Sequence, residues 1–406
     1  MTAEPDIDSI AADLRYQLAA RLTDAGHLRS PQWRAAVEAV PRHEFVRRFY
    51  RETDAPGLTT WTPVTPELSG VKEWLRQAYT DETLITQFDG REIDWTDPQP
   101  ISGAHPTSSS TLPALVVDML EELQVHDGMN VMEIGTGTGY STALMCRRLG
   151  AGQVTSIETD PDVADRARDA LDRCGYAPRL IIGDGLTGDP EGAPYDRTIA
   201  TCGVRRIPRS WVRQTRPGGI VLATLRGWMR SLGLVRLAIG HDERAEGRFV
   251  SGDPSFMIAR QQDAPESLGM IPAPDDGASR STPYGPELLI QPGSGFMAQL
   301  AMSAARFFSM PADDGTPCTY VLNTTDDSFA VLTPKSDDEW NVRQGGPVAL
   351  WDVFENALDI WRAADSPMPT EFGITVTAED QRVWLGSPDG PSWSLPTRAE
   401  TGGHPA

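Results

Sequence analysis

The stretch that most constrains this chain is VMEIGTGTGY, residues 131–140, where an apolar run carrying one acid leads straight into Gly-x-Gly-x-Gly. Residues 131–134 read as a buried strand, and the mostly apolar residues after Gly139 read as a helix. Glycines between the two let the backbone take positive φ and bring its amides close to a ligand at the helix mouth. Such a strand, loop and helix belong to an α/β fold, in which crossover helices cover a largely parallel sheet. A dinucleotide site would need Gly-x-Gly-x-x-Gly, but residue 140 is Tyr, so the pyrophosphate fingerprint fails at its third glycine. No Walker lysine follows either.

Alternation continues along the chain. Strands are expected near residues 130–134, 154–158, 180–182, 198–201 and 220–225, with helices over 112–123, after Gly139 and over 162–174, which predicts a doubly wound sheet. Two further strands, 233–239 and 255–259, flank the polar GHDERAEG and read as an antiparallel pair closing the sheet edge. Ahead of the sheet, Ile10, Leu14, Leu18 and Leu22 repeat at a helical step. A second helix is expected over 32–40 and a third over 71–79, while Pro41, Pro56, Pro63 and Pro66 predict irregular chain between them. Four regions follow: a helical, loop-rich front end over 1–100, the sheet domain over 101–262, a linker over 263–286, and an α+β domain over 287–406. The linker rests on its Pro, Gly, Ser and Asp content. The last domain carries a helix over 348–363 and short strands at FGITVT, RVWLG and SWSL, and its expected task is peptide recognition.

Composition removes whole classes of function. With 36 basic against 57 acidic residues the chain carries −21, which repels phosphate backbones and anionic lipid. Neither nucleic acid nor a membrane is an expected partner. Cys146, Cys174, Cys202 and Cys318 are scattered, with no Cys-x-x-Cys pair, so no metal is expected and reduced thiols fit a cytoplasmic protein. The first residues, MTAEPDIDSI, lack the charged and apolar regions of a signal peptide, and no apolar run approaches the ~18 residues of a membrane helix.

The order Glu133-x-Gly135-x-Gly137-x-Gly139 resembles motif I of the Rossmann-like S-adenosylmethionine (SAM) methyltransferases. Glu158 ends the next strand, where a carboxylate can accept bonds from both ribose hydroxyls. Gly183-Asp184-Gly185 follows the third strand, and the resemblance implies that Asp184 receives the adenine amino group. YDRTIAT and RPGGIVLAT supply the fourth strand and the turn before the fifth. The implied cofactor is therefore SAM, held by Glu133, Gly135, Thr136, Gly137, Thr138, Gly139, Glu158, Asp184, Gly185 and Thr201. Among these enzymes the chain is similar to the protein-L-isoaspartate O-methyltransferases, which methylate a peptide carboxylate. That likeness is carried by VPRHEF (40–45), ISGAHPTSSSTLP (101–113), MEIGTGTGYSTAL (132–144) and the GDG segment, and it runs from about residue 40 to 260.

Two departures bear on the substrate. Family members read Ser-Gln-Pro before the first long helix, with the serine near the accepting carboxylate; here Thr111-Leu112-Pro113 stand there, preceded by Ser108-Ser109-Ser110. One hydroxyl of this run would serve as a helix cap. Five in a row exceed that need, which leaves Ser109, Ser110 and Thr111 to orient an acceptor carboxylate and Ser108 to contact substrate. The second departure is the added chain beyond 260. Together they resemble the divergent branch found with ribosomal peptide maturation in actinobacteria, for graspetides and some lanthipeptides, in which the ester closes to an aspartimide. Residues 197–248 also hold 11 Arg and 3 acids, so Arg205 and Arg206, with Arg209, are candidates for steering an acidic peptide, against the plain alternative of a solvated face.

A carboxylate with a reference pKa of about 3.9 is already ionised at neutral pH, so methyl transfer needs no general base. The expected function is SAM-dependent O-methylation of an Asp carboxylate in a modified, macrocyclic precursor peptide, the expected partner. Alternatives are a conventional isoaspartyl repair methyltransferase and, from a different class, a non-catalytic peptide-binding protein on a SAM fold.

Overall fold

The computed structural model describes residues 7–53, 59–252, 254–265, 271–273, 276–312, 314–336 and 338–396. The chain divides into two compact units, Met1–Thr201 with Ser210–Leu222 and Cys202–Arg209 with Ala223–Ala406.

In the first unit, strand Val131–Ile134 pairs in parallel with Val154–Glu158 on one side and with Tyr195–Val204 on the other. Arg179–Ile182 extends the sheet beyond Val154–Glu158, again in parallel. Helices Pro113–Glu122, Tyr140–Leu149 and Pro161–Arg173 alternate with these strands. Val131, Met132 and Ile134 are all buried, as expected of a parallel strand covered on both faces. Because the strand order reverses beside Val131–Ile134, its carboxyl end opens at the switch point where such sheets bind ligands. The doubly wound sheet expected from the alternation is present.

The front end differs from its sequence reading. Helices Ile7–Asp24, Pro31–Ala39 and Val71–Ala78 are present, and Pro56 lies outside the described residues, but the described remainder is no mere loop. It builds a five-stranded antiparallel sheet in the order Ile101–Ser102, Thr60–Val64, Phe49–Thr53, Leu84–Phe88 and Pro106–Ser110. Proline is tolerated here because Pro106 opens an edge strand, while Pro63 lies opposite Tyr50 amid aromatic and β-branched residues that favour strands. Tyr50, Ile85 and Phe88 form a small core under Trp61, Ile93, Trp95 and Ile101. The edge strand Pro106–Ser110 is the hydroxyl-rich run itself.

In the second unit, Ser231–Ile239 pairs not with residues 255–259 but with Ala245–Phe249. The polar segment between them is short enough to close a hairpin, with the Gly240 amide donating to the Arg244 carbonyl at 2.7 Å. Residues 255–259 make only an isolated bridge, Gly203 with Ile258. Ala245–Phe249 also pairs with Phe372–Val376, which is why the division between units falls near residues 202 and 223 rather than in the expected linker 263–286. Of that linker, residues 266–270 and 274–275 lie outside the described residues, and Ala278–Thr282 is a strand paired with Glu339–Gly345. It edges a second sheet that continues through Phe329–Ser336, Pro317–Asn323 and Ala305–Pro311. Helix Leu350–Ala363 buries Trp351, Phe354 and Leu358, the apolar face its periodicity predicts. Among the described residues no helix is long and apolar enough to cross a membrane.

Candidate active site

The glycine loop owes its shape to what lies beneath it. Glu133 is 0% exposed, and its carboxylate accepts hydrogen bonds from the hydroxyls of Ser141, of Thr142 at 2.5 Å and of Ser156 at 2.7 Å. Burial pushes its pKa above the usual carboxylate range, against the pull of those three donors. Among the described residues Glu133 therefore tethers the following helix to the neighbouring strand. Thr136 turns the same way, its hydroxyl 2.7 Å from that of Ser156. Gly135, Gly137 and Thr138 are the loop positions left partly exposed.

Positive φ angles of 92°, 55° and 87° at Gly135, Gly137 and Gly139 explain the glycines. At Gly135 a Cβ would also stand 2.9 Å from the Thr201 hydroxyl oxygen. That hydroxyl donates to the carbonyls of Ile134, at 3.1 Å, and of Gly135, so Thr201 braces the loop from the fourth strand. Glu158 meets the loop from the second: one carboxylate oxygen accepts from the Gly137 amide at 2.9 Å, the other from the Thr159 and Asp160 amides at 2.9 and 3.1 Å. Asp184 accepts from the Leu186 amide at 2.9 Å in a tight turn. Gly185 in that turn lies so close to the central strand that a Cβ would fall 2.5 Å from Cγ2 of Ile134. The expected cofactor residues thus gather at the carboxyl ends of four adjacent strands.

The hydroxyl-rich strand closes on this loop. The Ser109 carbonyl oxygen is 3.3 Å from where a Cβ on Gly137 would stand. Ser108 is buried and its hydroxyl accepts from Thr86 at 3.1 Å; Ser109 and Thr111 are half-buried. Ser110 is 2% exposed, and its hydroxyl has no hydrogen-bond partner among the described residues.

None of these hydroxyls caps the following helix. Asp81 accepts from the Ala114 amide at 2.8 Å and Thr83 from the Leu112 amide at 3.2 Å, with Pro113 at the first helical position. Capping therefore comes from the preceding segment and leaves the run free for other work.

Sequence reasoning missed Arg42, which holds the run in place. Its guanidinium donates to the carbonyls of Ala78, Thr80 and Glu82 at 2.8–3.0 Å, and of Thr111 and Ser110 at 3.3 and 3.5 Å. Burial lowers its pKa to about 10, against the smaller pull of Asp81 and Glu82 nearby. VPRHEF carried the residue in plain sight, yet nothing in that motif says which backbone it would clasp.

The two expected substrate arginines belong to the second unit. Arg205 is 2% exposed, its guanidinium 3.4 Å from the centre of the Trp228 ring and donating to the Ser303 carbonyl at 3.0 Å. Such an arginine is packed in the core of the second unit and steers nothing. Arg206 is half-buried in that unit, and Arg209 pairs with Glu243 at 2.9 Å.

A strand-end carboxylate, a loop of three positive-φ glycines and an acidic turn on the next strand but one fit SAM, and together with the fold they define a Rossmann-like SAM-dependent methyltransferase. The family of protein-L-isoaspartate (D-aspartate) O-methyltransferases matches residues 73–236. The protein-L-isoaspartate O-methyltransferase of Thermococcus onnurineus is 32% identical over 232 residues, which is 56% of this chain and 86% of that protein. That of Methanopyrus kandleri is 31% identical over 215 residues, 52% of this chain and 76% of that protein. A solved structure described as a protein-L-isoaspartate O-methyltransferase shares the fold, with a TM-score of 0.52 at 21% identity over 92% of this chain and all of that one. The chain belongs to the protein-L-isoaspartate O-methyltransferase family and is a SAM-dependent carboxyl O-methyltransferase.

Proposed function

We propose that this enzyme methylates the side-chain carboxylate of an aspartyl residue in a modified, macrocyclic ribosomal peptide, and that the ester then closes to an aspartimide. The observation that carries the reading is Ser110, a buried hydroxyl with no hydrogen-bond partner on the strand beside Gly137. A hydroxyl in that state has a donor to give an incoming carboxylate, which hydrogen-bonds without being protonated. Arg42, clasping the same backbone, places a buried positive charge next to it and favours an anionic acceptor. SAM supplies, when bound, a methyl group activated by its sulfonium. The residues of this chain then have to align the carboxylate and exclude water, since both charges diminish as the C–O bond forms. In the ester, the amide nitrogen of the next residue bonds to the acyl carbon, its proton leaves with the methoxide as methanol, and the succinimide ring is complete.

Repair of isoaspartyl residues is the second reading, and the names of the two relatives favour it. So does the breadth of the structural match, which reaches beyond residue 260. In favour of the first stand Thr111-Leu112-Pro113 in place of Ser-Gln-Pro and the added hydroxyls. Mass spectrometry after incubation with SAM and three peptides, linear aspartyl, linear isoaspartyl and macrocyclic aspartyl, decides between them. The proposal expects the macrocycle to gain one methylene and then lose methanol; an ester confined to the isoaspartyl peptide overturns it.

A further inference from the structure

The strand that carries the hydroxyls and the strand end that carries Glu158 are joined by one side chain. Gln87 is 1% exposed. Its amide nitrogen donates to the Asp160 carboxylate at 3.1 Å, and its amide oxygen accepts from the Thr107 hydroxyl at 2.9 Å. The ladder between Leu84–Phe88 and Pro106–Ser110 loses register on both sides of Gln87. Bulges of this kind re-aim a side chain. Asp160 in turn caps helix Pro161–Arg173 through the Asp162 and Val163 amides, and its own amide donates to Glu158. Glu158 accepts from Gly137, and Gly137 lies against the Ser109 carbonyl. The contacts therefore form a closed ring: Thr107, Gln87, Asp160, Glu158, Gly137 and Ser109.

We infer that Gln87 is a positioning residue that passes cofactor occupancy at Glu158 to the strand Pro106–Ser110, so that this strand is ordered for its acceptor only when the cofactor site is filled. Gln87 suits the task because an amide presents a donor to Asp160 and an acceptor to Thr107 at once, which neither a carboxylate nor an apolar side chain of that length does. Coupling of this kind is reciprocal: whatever the cofactor contributes to ordering the strand, an acceptor on the strand returns as tighter cofactor binding. Spatial contiguity alone does not demonstrate coupling, so the test reads the coupling itself. It needs no acceptor peptide and stands whichever substrate reading above holds.

Hydrogen exchange of the amides of residues 107–110 is measured with and without saturating S-adenosylhomocysteine, and calorimetry records its affinity. In the native enzyme the ligand slows exchange of these amides about tenfold. Gln87→Ala abolishes the slowing while affinity falls by no more than that same factor. Gln87→Glu sets a second carboxylate against Asp160 and abolishes it at neutral pH. As the pH is lowered the effect returns, because a protonated carboxyl again offers one donor and one acceptor. Gln87→Glu combined with Asp160→Asn restores it at neutral pH, the amide and carboxylate having changed places, and Asn caps the helix as well as Asp. Slowing that is absent in the native enzyme, or that survives Gln87→Ala, overturns the inference. Loss common to all variants without recovery in the double variant overturns it too, by making Gln87 a structural prop.

Discussion

His43, next to Arg42, shows how burial sets the behaviour of single residues around this site. It is 5% exposed, its Nδ1 lies 2.7 Å from the Tyr79 hydroxyl, and the Trp74 ring stands edge-on to it. Burial lowers its pKa below the ordinary value, ahead of any neighbouring charge. A depressed folded pKa means that its contribution to stability is present above the unfolded value of about 6.5 and is lost as pH falls through the folded one. The urea midpoint of the native enzyme should therefore drop between about pH 7.5 and pH 5, and His43→Gln should flatten that part of the profile. An unchanged slope would mean that His43 titrates alike in the folded and unfolded states. Glu133 is the counterpart on the acidic side, its pKa raised by burial against the pull of three hydroxyl donors. Its position before the glycines was legible from the strand pattern, but its use was not. A motif shows that an acid is required, and only packing shows whether it faces a ligand or the hydroxyls behind the loop.

Among elements, helix Pro113–Glu122 takes its cap from residues about thirty positions earlier in the chain, Asp81 and Thr83. Asp81→Ala should cost about 1 kcal/mol, as the loss of a cap does elsewhere, and should lower turnover, because the same helix start fixes Leu112 after the hydroxyl run. A turnover unchanged under a lowered melting temperature would separate the cap from the site. The element scale is also where the sequence was read best and worst. The parallel strands and their helices were legible within a few residues, since each buried strand is a short apolar run framed by turn signals. The front sheet was not, because Pro63 and Pro106 read as breakers, although Pro106 opens an edge strand and Pro63 lies past Thr60 and Trp61, the residues at which Ile101–Ser102 pairs with its strand. The sheet ending at Ala305–Pro311 was missed for a related reason: strands such as Glu339–Gly345 carry polar residues on a face that is only half-buried and look like polar loop. Within the candidate site, Gly135 and Glu158 were candidates by spacing, the hydroxyls by their unbroken run, and Asp184 by the family resemblance. Arg42 and Gln87 were not, since each acts on chain far away in sequence.

For the whole molecule, the two units differ in what a ligand does to them. The expected cofactor residues, from Glu133 to Thr201, all belong to the first unit. S-adenosylhomocysteine at a hundred times its Kd should stabilise that unit by about 2.7 kcal/mol. Calorimetric unfolding with and without the ligand checks this, with a shift expected in the transition that includes residues 131–201. A shift confined to any separate transition of the second unit would place the ligand wrongly. The charge of −21 was informative at this scale only by exclusion, because net charge speaks to partners and solubility and says nothing of which arginine is buried. Arg205 was misread for that reason: a count of charges along the chain carries no depth.

The double bulge at Gln87 has a consequence for information content. Thr107-Ser108-Ser109-Ser110-Thr111 is nearly invariant under translation along its own axis, so side-chain pattern alone gives the strand no reason to prefer one alignment over a slip of a single residue. Such a slip would turn every hydroxyl to the opposite face. The interruption in the ladder breaks that symmetry, and the bond from Thr107 to Gln87 pins the origin of the count. A repetitive segment thereby acquires an address, and Ser108 and Ser110 become the hydroxyls that are turned inward.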